Sequence, residues 1–76
     1  MENLLDRITI NNSVCTGKPT IRNKRITVNS ILEFLSVGES IESILENYPT
    51  IEKKDIEACL AFAAKIVDRN FIIEHA

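Results

Sequence analysis

Thr27-Val28-Asn29-Ser30-Ile31-Leu32-Glu33-Phe34-Leu35-Ser36-Val37-Gly38-Glu39-Ser40 is the stretch that decides the fold. Thr27 is a good N-cap residue, because its hydroxyl can accept a backbone N–H of the first turn. Val28, Ile31, Leu32 and Leu35 follow at i, i+3, i+4 and i+7, the core stripe of an amphipathic helix. Gly38 supplies the left-handed residue that commonly closes a helix, and Ser40 is placed to cap the next one. Ile41, Ile44, Leu45 and Tyr48 line one face of that second helix, and Pro49 ends it near Tyr48. A third helix starts within residues 50–53, with Thr50 as the expected cap, and runs to about Asn70.

Upstream the pattern changes. Arg7-Ile8-Thr9-Ile10-Asn11 alternates polar and apolar, the period-2 signature of a half-buried strand. Gly17 and Pro19 mark residues 15–20 as a loop. Thr20-Ile21-Arg22 and Arg25-Ile26-Thr27 then read as a short hairpin turning at Asn23-Lys24. The expected fold is mainly α, with short N-terminal β-strands or a hairpin before a three-helix, helix-turn-helix core. One domain spans residues 1–76: strands and a basic loop over 1–27, the helical core over 28–70, and a short tail over 71–76.

The chain has 76 residues, 45% of them hydrophobic and 26% charged, too apolar for disorder and too short to bury a generous core. It contains no apolar run of the ~20 residues that would cross a bilayer. Glu2 and Asp6 break any early signal-peptide pattern, so a cytoplasmic location is expected. Cys15 and Cys59 could form one disulfide at most, and there is no Cys/His cluster of zinc type. Cys59 reads as a small core residue. The sole histidine, His75, sits in the tail, and the chain has no Gly-rich phosphate loop and no nucleophile elbow. No catalytic residue, metal or cofactor is expected, and the chain is not expected to be an enzyme.

The formal net charge is −2, unevenly spread. Residues 1–32 carry five bases against two acids, and residues 33–76 carry four bases against nine acids. Lys18, Arg22, Lys24 and Arg25 form a run of positive charge without an acid, suited to phosphate or an acidic protein surface; a solvated hairpin is the plainer reading. Helix two, the Pro49 turn and helix three have the order of a helix-turn-helix. Its reading end would offer Lys53 and Lys54, opposed by Glu52, Asp55 and Glu57. A helical hairpin used only for packing fits the same residues.

At ~100° per residue, helix three has two apolar stripes. Ile56, Leu60, Ala63, Val67 and Phe71 form one, read as the core face. Ala58, Phe62 and Ile66 lie roughly opposite and need a cover, either the N-terminal strands or a second subunit. The small domain size favours a homodimer, with Phe62 and Ile66 at its interface.

The motifs Val14-Cys15-Thr16-Gly17-Lys18-Pro19-Thr20-Ile21-Arg22, Arg25-Ile26-Thr27-Val28, Gly38-Glu39-Ser40, Ile44-Leu45, Tyr48-Pro49, Asp55-Ile56 and Ala58-Cys59-Leu60-Ala61-Phe62-Ala63-Ala64 occur in this order. Together they resemble the prokaryotic domain-of-unknown-function 433 family, small proteins likened to VapB-type antitoxins. Asn23-Lys24 stands where many members have Gly-Thr, and Glu52-Lys53 where Thr-Pro is common. The resemblance implies a winged or homeodomain-like helical core. It also implies the antitoxin half of a toxin–antitoxin pair: a dimer that binds a PIN-like ribonuclease toxin and its own operator DNA. Lys18, Arg22, Lys24, Arg25, Lys53 and Lys54 are then the candidate DNA- or partner-binding residues. The alternative is a small dimeric adaptor with a degenerate helix-turn-helix and no DNA affinity.

Overall fold

A computed structural model describes residues 3–70 of the chain. A 3₁₀ turn over Leu4–Arg7 opens it, capped by the Asn3 side chain, which accepts the Leu5 N–H at 3.0 Å. Strand β1 (Ile8–Thr9) pairs antiparallel with β2 (Thr20–Ile21), Ile8 opposite Ile21 and Thr9 opposite Thr20. Both strands are only two residues long. Arg7, placed on the strand by its alternation, belongs to the 3₁₀ turn instead, and its carbonyl accepts the Arg22 N–H at 2.8 Å.

The hairpin turn after β2 is shifted by one residue from the expectation. The Lys24 N–H bonds to the Ile21 carbonyl at 2.7 Å, so Arg22 and Asn23 are the central residues, with φ of 47° and 59°. Positive φ at both central positions is the demand of a type I′ turn, which suits the twist of adjoining strands. The turn therefore sits one residue before Asn23-Lys24. Only Thr27 returns to bridge Thr20, so residues 25–27 do not form a third strand.

Three helices follow, α1 (Val28–Ser36), α2 (Ile41–Asn47) and α3 (Lys53–Asn70). Thr27 and Ser40 cap the first two, accepting the Ser30 and Ser43 N–H groups at 3.1 Å each. Gly38 takes φ 92°; its N–H bonds to Leu35 and that of Glu39 to Phe34, the paired bonds of a Schellman motif. A side chain would have open space there, so the backbone conformation alone calls for glycine.

Helix α3 starts differently from the expectation. Thr50 does not cap it. Glu52 precedes the first turn, and the Asp55 carboxylate reaches back to the Glu52 N–H at 2.8 Å, the return half of a capping box with Asp in the usual Glu position.

The core gathers Ile21, Val28, Ile31, Ile44, Ile51, Ile56 and Cys59, so every element from β2 to α3 contributes an apolar side chain. Phe34 and Tyr48 pack rings at 5.9 Å on its margin. Cys59 is buried and Cys15 is partly covered; both are free thiols. The 3₁₀ turn lies along α3 and covers part of it from the N-terminal side.

The two apolar stripes of α3 do not divide into a core face and an uncovered face as expected, although Ile66 stays 39% exposed. Ile56 is buried as expected, but Leu60 is 47% exposed and Val67 56%. Ala58 and Cys59 are buried, and Phe62 is packed partly against the core. The physical reason is Asp55. An acid marks a helix face as solvent-facing when only periodicity is read, yet Asp55 is fully buried and paired, and it pulls its own face inward. Phe71 and Ile73 lie outside the described residues.

Candidate functional site: two faces of the third helix

Asp55 is the polar centre of the fold. Arg22 grips it with two bonds, Nε to Oδ1 at 3.2 Å and Nη2 to Oδ2 at 2.8 Å. Arg7 Nη1 donates to Oδ1 at 2.9 Å and to the exposed Glu52 carboxylate at 2.7 Å. A planar guanidinium matches a carboxylate in this forked geometry. Burial pushes the Asp55 carboxyl up, but the Glu52 N–H and the two guanidinium groups outweigh it and hold it below its ordinary value. Burial, with the Asp55 charge nearby, pushes the Cys59 thiol up to about 12, so it is not a thiolate nucleophile. Among the described residues, every buried side-chain nitrogen and oxygen has a partner, and no three His, Cys, Asp or Glu side chains gather as a metal site.

This arrangement decides what the basic residues can do. Arg22 also donates to the Thr50 carbonyl at 3.3 Å, so it ties the hairpin turn to the start of α3. Lys24 and Arg25 ride on that turn and its exit, and Lys53 and Lys54 stand exposed on the first turn of α3. Four of the predicted cations are thus carried by two segments that Arg22 joins. Arg22 itself spends its charge internally. Lys18 lies elsewhere, at the side of a cleft with Pro19, Val28, Leu32, Phe62 and Val67. The six predicted residues do not form one patch.

Lys18 belongs to a strained loop. Cys15, Thr16 and Gly17 have φ of 49°, 54° and 82° in succession. At Gly17 a Cβ would lie 2.6 Å from Asn12 Oδ1, the movable end of an exposed side chain, so it is the φ of 82° that calls for glycine.

The second half of α3 has a different character. Phe62 and Ile66 form a ridge between two clefts. One, about 400 Å³, is walled by the Lys18–Pro19 loop and the start of α1. The other, about 330 Å³, lies against the N-terminal segment and is lined by Leu5, Ile8, Ile10, Phe62, Lys65, Ile66 and Arg69. The N-terminal segment thus covers Phe62 in part, while Ile66 remains 39% exposed. Leu60 and Val67, expected on the core face, are exposed, and Lys65 and Arg69 are not among the expected site residues. The spacing Phe62, Lys65, Ile66, Arg69 (i, i+3, i+4, i+7) was the available signal, a stripe half apolar and half basic. No helix of the described residues is long and apolar enough to cross a membrane.

The profile of a family described as "Protein of unknown function (DUF433)" matches residues 8–63. The fold is similar to the crystal structure of a DUF433 member protein from Anabaena variabilis, with a TM-score of 0.76 and 28% sequence identity. That similarity covers 83% of this chain and 62% of the other, so the chain spans less than two thirds of its neighbour's length. No curated protein matches the sequence.

Proposed function

The chain belongs to the DUF433 family, and on that premise we propose that it is an antitoxin-like, partner-binding module rather than an enzyme. In this reading it acts in the cytoplasm as a dimer, holds a PIN-like ribonuclease toxin, and touches its own operator DNA. The observation that carries it is the exposed apolar surface of α3: Leu60, Ile66 and Val67 are 47%, 39% and 56% exposed on one 18-residue helix. A small domain gains little by leaving such side chains in water, and a cluster of them marks a protein-binding face. The dimer contact is best placed on Leu60 and Val67, because Phe62 already leans on its own core.

Operator contact would fall to Lys24, Arg25, Lys53 and Lys54 at the joined start of α3. One observation favours the alternative, a dimeric adaptor without DNA affinity. Arg22 is neutralised by Asp55, so the surface offers less positive charge than the sequence counts. Co-expression with the adjacent open reading frame tests the main reading: rescue of growth from that gene's toxicity supports it, and no rescue sinks the antitoxin role. A gel shift with the chain's own upstream DNA at ~50 mM salt separates the two readings, since phosphate attraction is least screened there. Absence of a shift leaves the adaptor.

A further inference from the structure

We propose that the cleft between the N-terminal segment and α3 binds an acidic amphipathic helix of a partner protein; this rests on the reading of the chain as a partner-binding module. The floor is apolar: Leu5, Ile8 and Ile10 from the N-terminal side, Phe62 and Ile66 from α3. Among the described residues its charged lining is entirely basic, Lys65 and Arg69, one helical turn apart. In the neighbouring cleft that shares Phe62 and Ile66, Lys18 is the sole charged residue among the described ones. Among the described residues, three cations and no acid line these clefts, on a chain whose acids outnumber its bases by eleven to nine.

Of the acids of this helix, Asp55 is buried and paired with Arg7 and Arg22, and Asp68 stands one turn from Lys65 without lining the cleft. At ~100° per residue, Glu57 and Asp68 fall on the side of α3 away from Phe62 and Arg69. Among the described residues, no ion pair or hydrogen bond occupies the side chains of Lys65 or Arg69, in contrast to Arg7 and Arg22. Side chains at i and i+4 stand ~6 Å apart on one face. Two carboxylates one turn apart on a partner helix therefore match Lys65 and Arg69 while apolar side chains between them fill the floor. This is the helix-in-groove mode of recognition, with charge fixing register and partner choice.

Charge also separates this occupant from a second copy. A two-fold contact with its axis at Lys65 and Arg69 would set these cations close to their own copies. Nucleic acid matches the cations but leaves Leu5, Ile8 and Ile10 without an apolar partner.

The test uses the whole chain and two synthetic peptides. Each is about 15 residues long, enough for a marginal helix, with Leu at i, i+3, i+4 and i+7. One carries Glu at the flanking positions and the other Lys. Fluorescence anisotropy at ~50 mM salt should show the Glu peptide binding about tenfold tighter than the Lys peptide, with the gap shrinking at ~0.5 M salt. The double variant Lys65→Glu/Arg69→Glu should reverse the preference while its circular dichroism stays unchanged, because both side chains are exposed. Equal binding of the two peptides, no binding of either, or an unreversed preference overturns the proposal. So does loss of a dimer in the double variant with no peptide bound, which would make the occupant a second copy. Growth rescue with the adjacent gene is read separately: rescue without peptide binding removes this cleft and leaves the antitoxin-like reading standing.

Discussion

The two halves of α3 obey different rules although they are one continuous helix. In the first half, Asp55, Ile56, Ala58 and Cys59 are buried, and the single buried acid is met by two arginines and a backbone N–H. In the second, Leu60, Ile66 and Val67 are exposed and Lys65 and Arg69 keep their charges unspent. The difference is one of cover. β2, the hairpin turn and α2 close over the start of the helix, and only the slender N-terminal segment and the entry of α1 reach further along it. Buried, paired charge lies in the first half of the helix, and exposed apolar and basic side chains lie in the second.

The sharpest way to break this contrast is to remove the buried acid. Asp55→Ala would leave Arg7 and Arg22 facing each other across a buried gap and the Glu52 N–H without its acceptor. Deleting one partner of a buried pair costs ~3–5 kcal/mol. Urea denaturation should show a loss of that order, enough to leave much of so small a domain unfolded. The cavity left by Ile56→Ala should cost slightly less, ~3 kcal/mol, and serves as the apolar control in the same half of the helix.

Acid should do reversibly, and to a smaller degree, what Asp55→Ala does permanently. The folded-state carboxyl lies below its ordinary value. A depressed acid contributes stability that is fully present above its unfolded value, near 3.9, and is lost as pH falls through the folded one. Unfolding free energy should therefore hold from neutral pH to about pH 4 and drop below it. Asp55→Asn should flatten that acid limb. If the limb is the same in wild type and variant, the clamp is not the source of the acid sensitivity.

Local rules were legible in the sequence and long-range ones were not. Thr27, Ser40 and Gly38 were read correctly because caps and left-handed closures depend on residues three or four positions away. The two-residue turn was misplaced by one position, since Arg22 is not a residue that advertises positive φ. The burial of the Asp55 side of α3 was not legible because Asp55 is made fit for the interior by Arg22, 33 positions away, and Arg7, 48 positions away. Periodicity carries no trace of such partners. The same blindness made Arg22 look like a phosphate contact, and left Lys65 and Arg69 outside the expected site residues.

The smallest effect on stability is expected in the second half of the helix, and there its smallness is informative. Leu60→Ala and Val67→Ala remove side chains that are about half exposed, so each should change unfolding free energy by no more than ~0.5 kcal/mol. Leu60→Glu and Val67→Glu should leave the circular dichroism unchanged as well. If these residues form the proposed dimer contact, each Glu variant places like charges against apolar surface or against its own copy, and mass in solution should fall from dimer to monomer. Phe62→Glu is the poorer probe, because Phe62 leans on the core and its loss mixes unfolding with dissociation. A dimer that persists in both Glu variants would clear this face of any role in self-association. A Glu variant that loses several kcal/mol would show instead that the second half of α3 is covered by its own chain, and the contrast between the halves would fall.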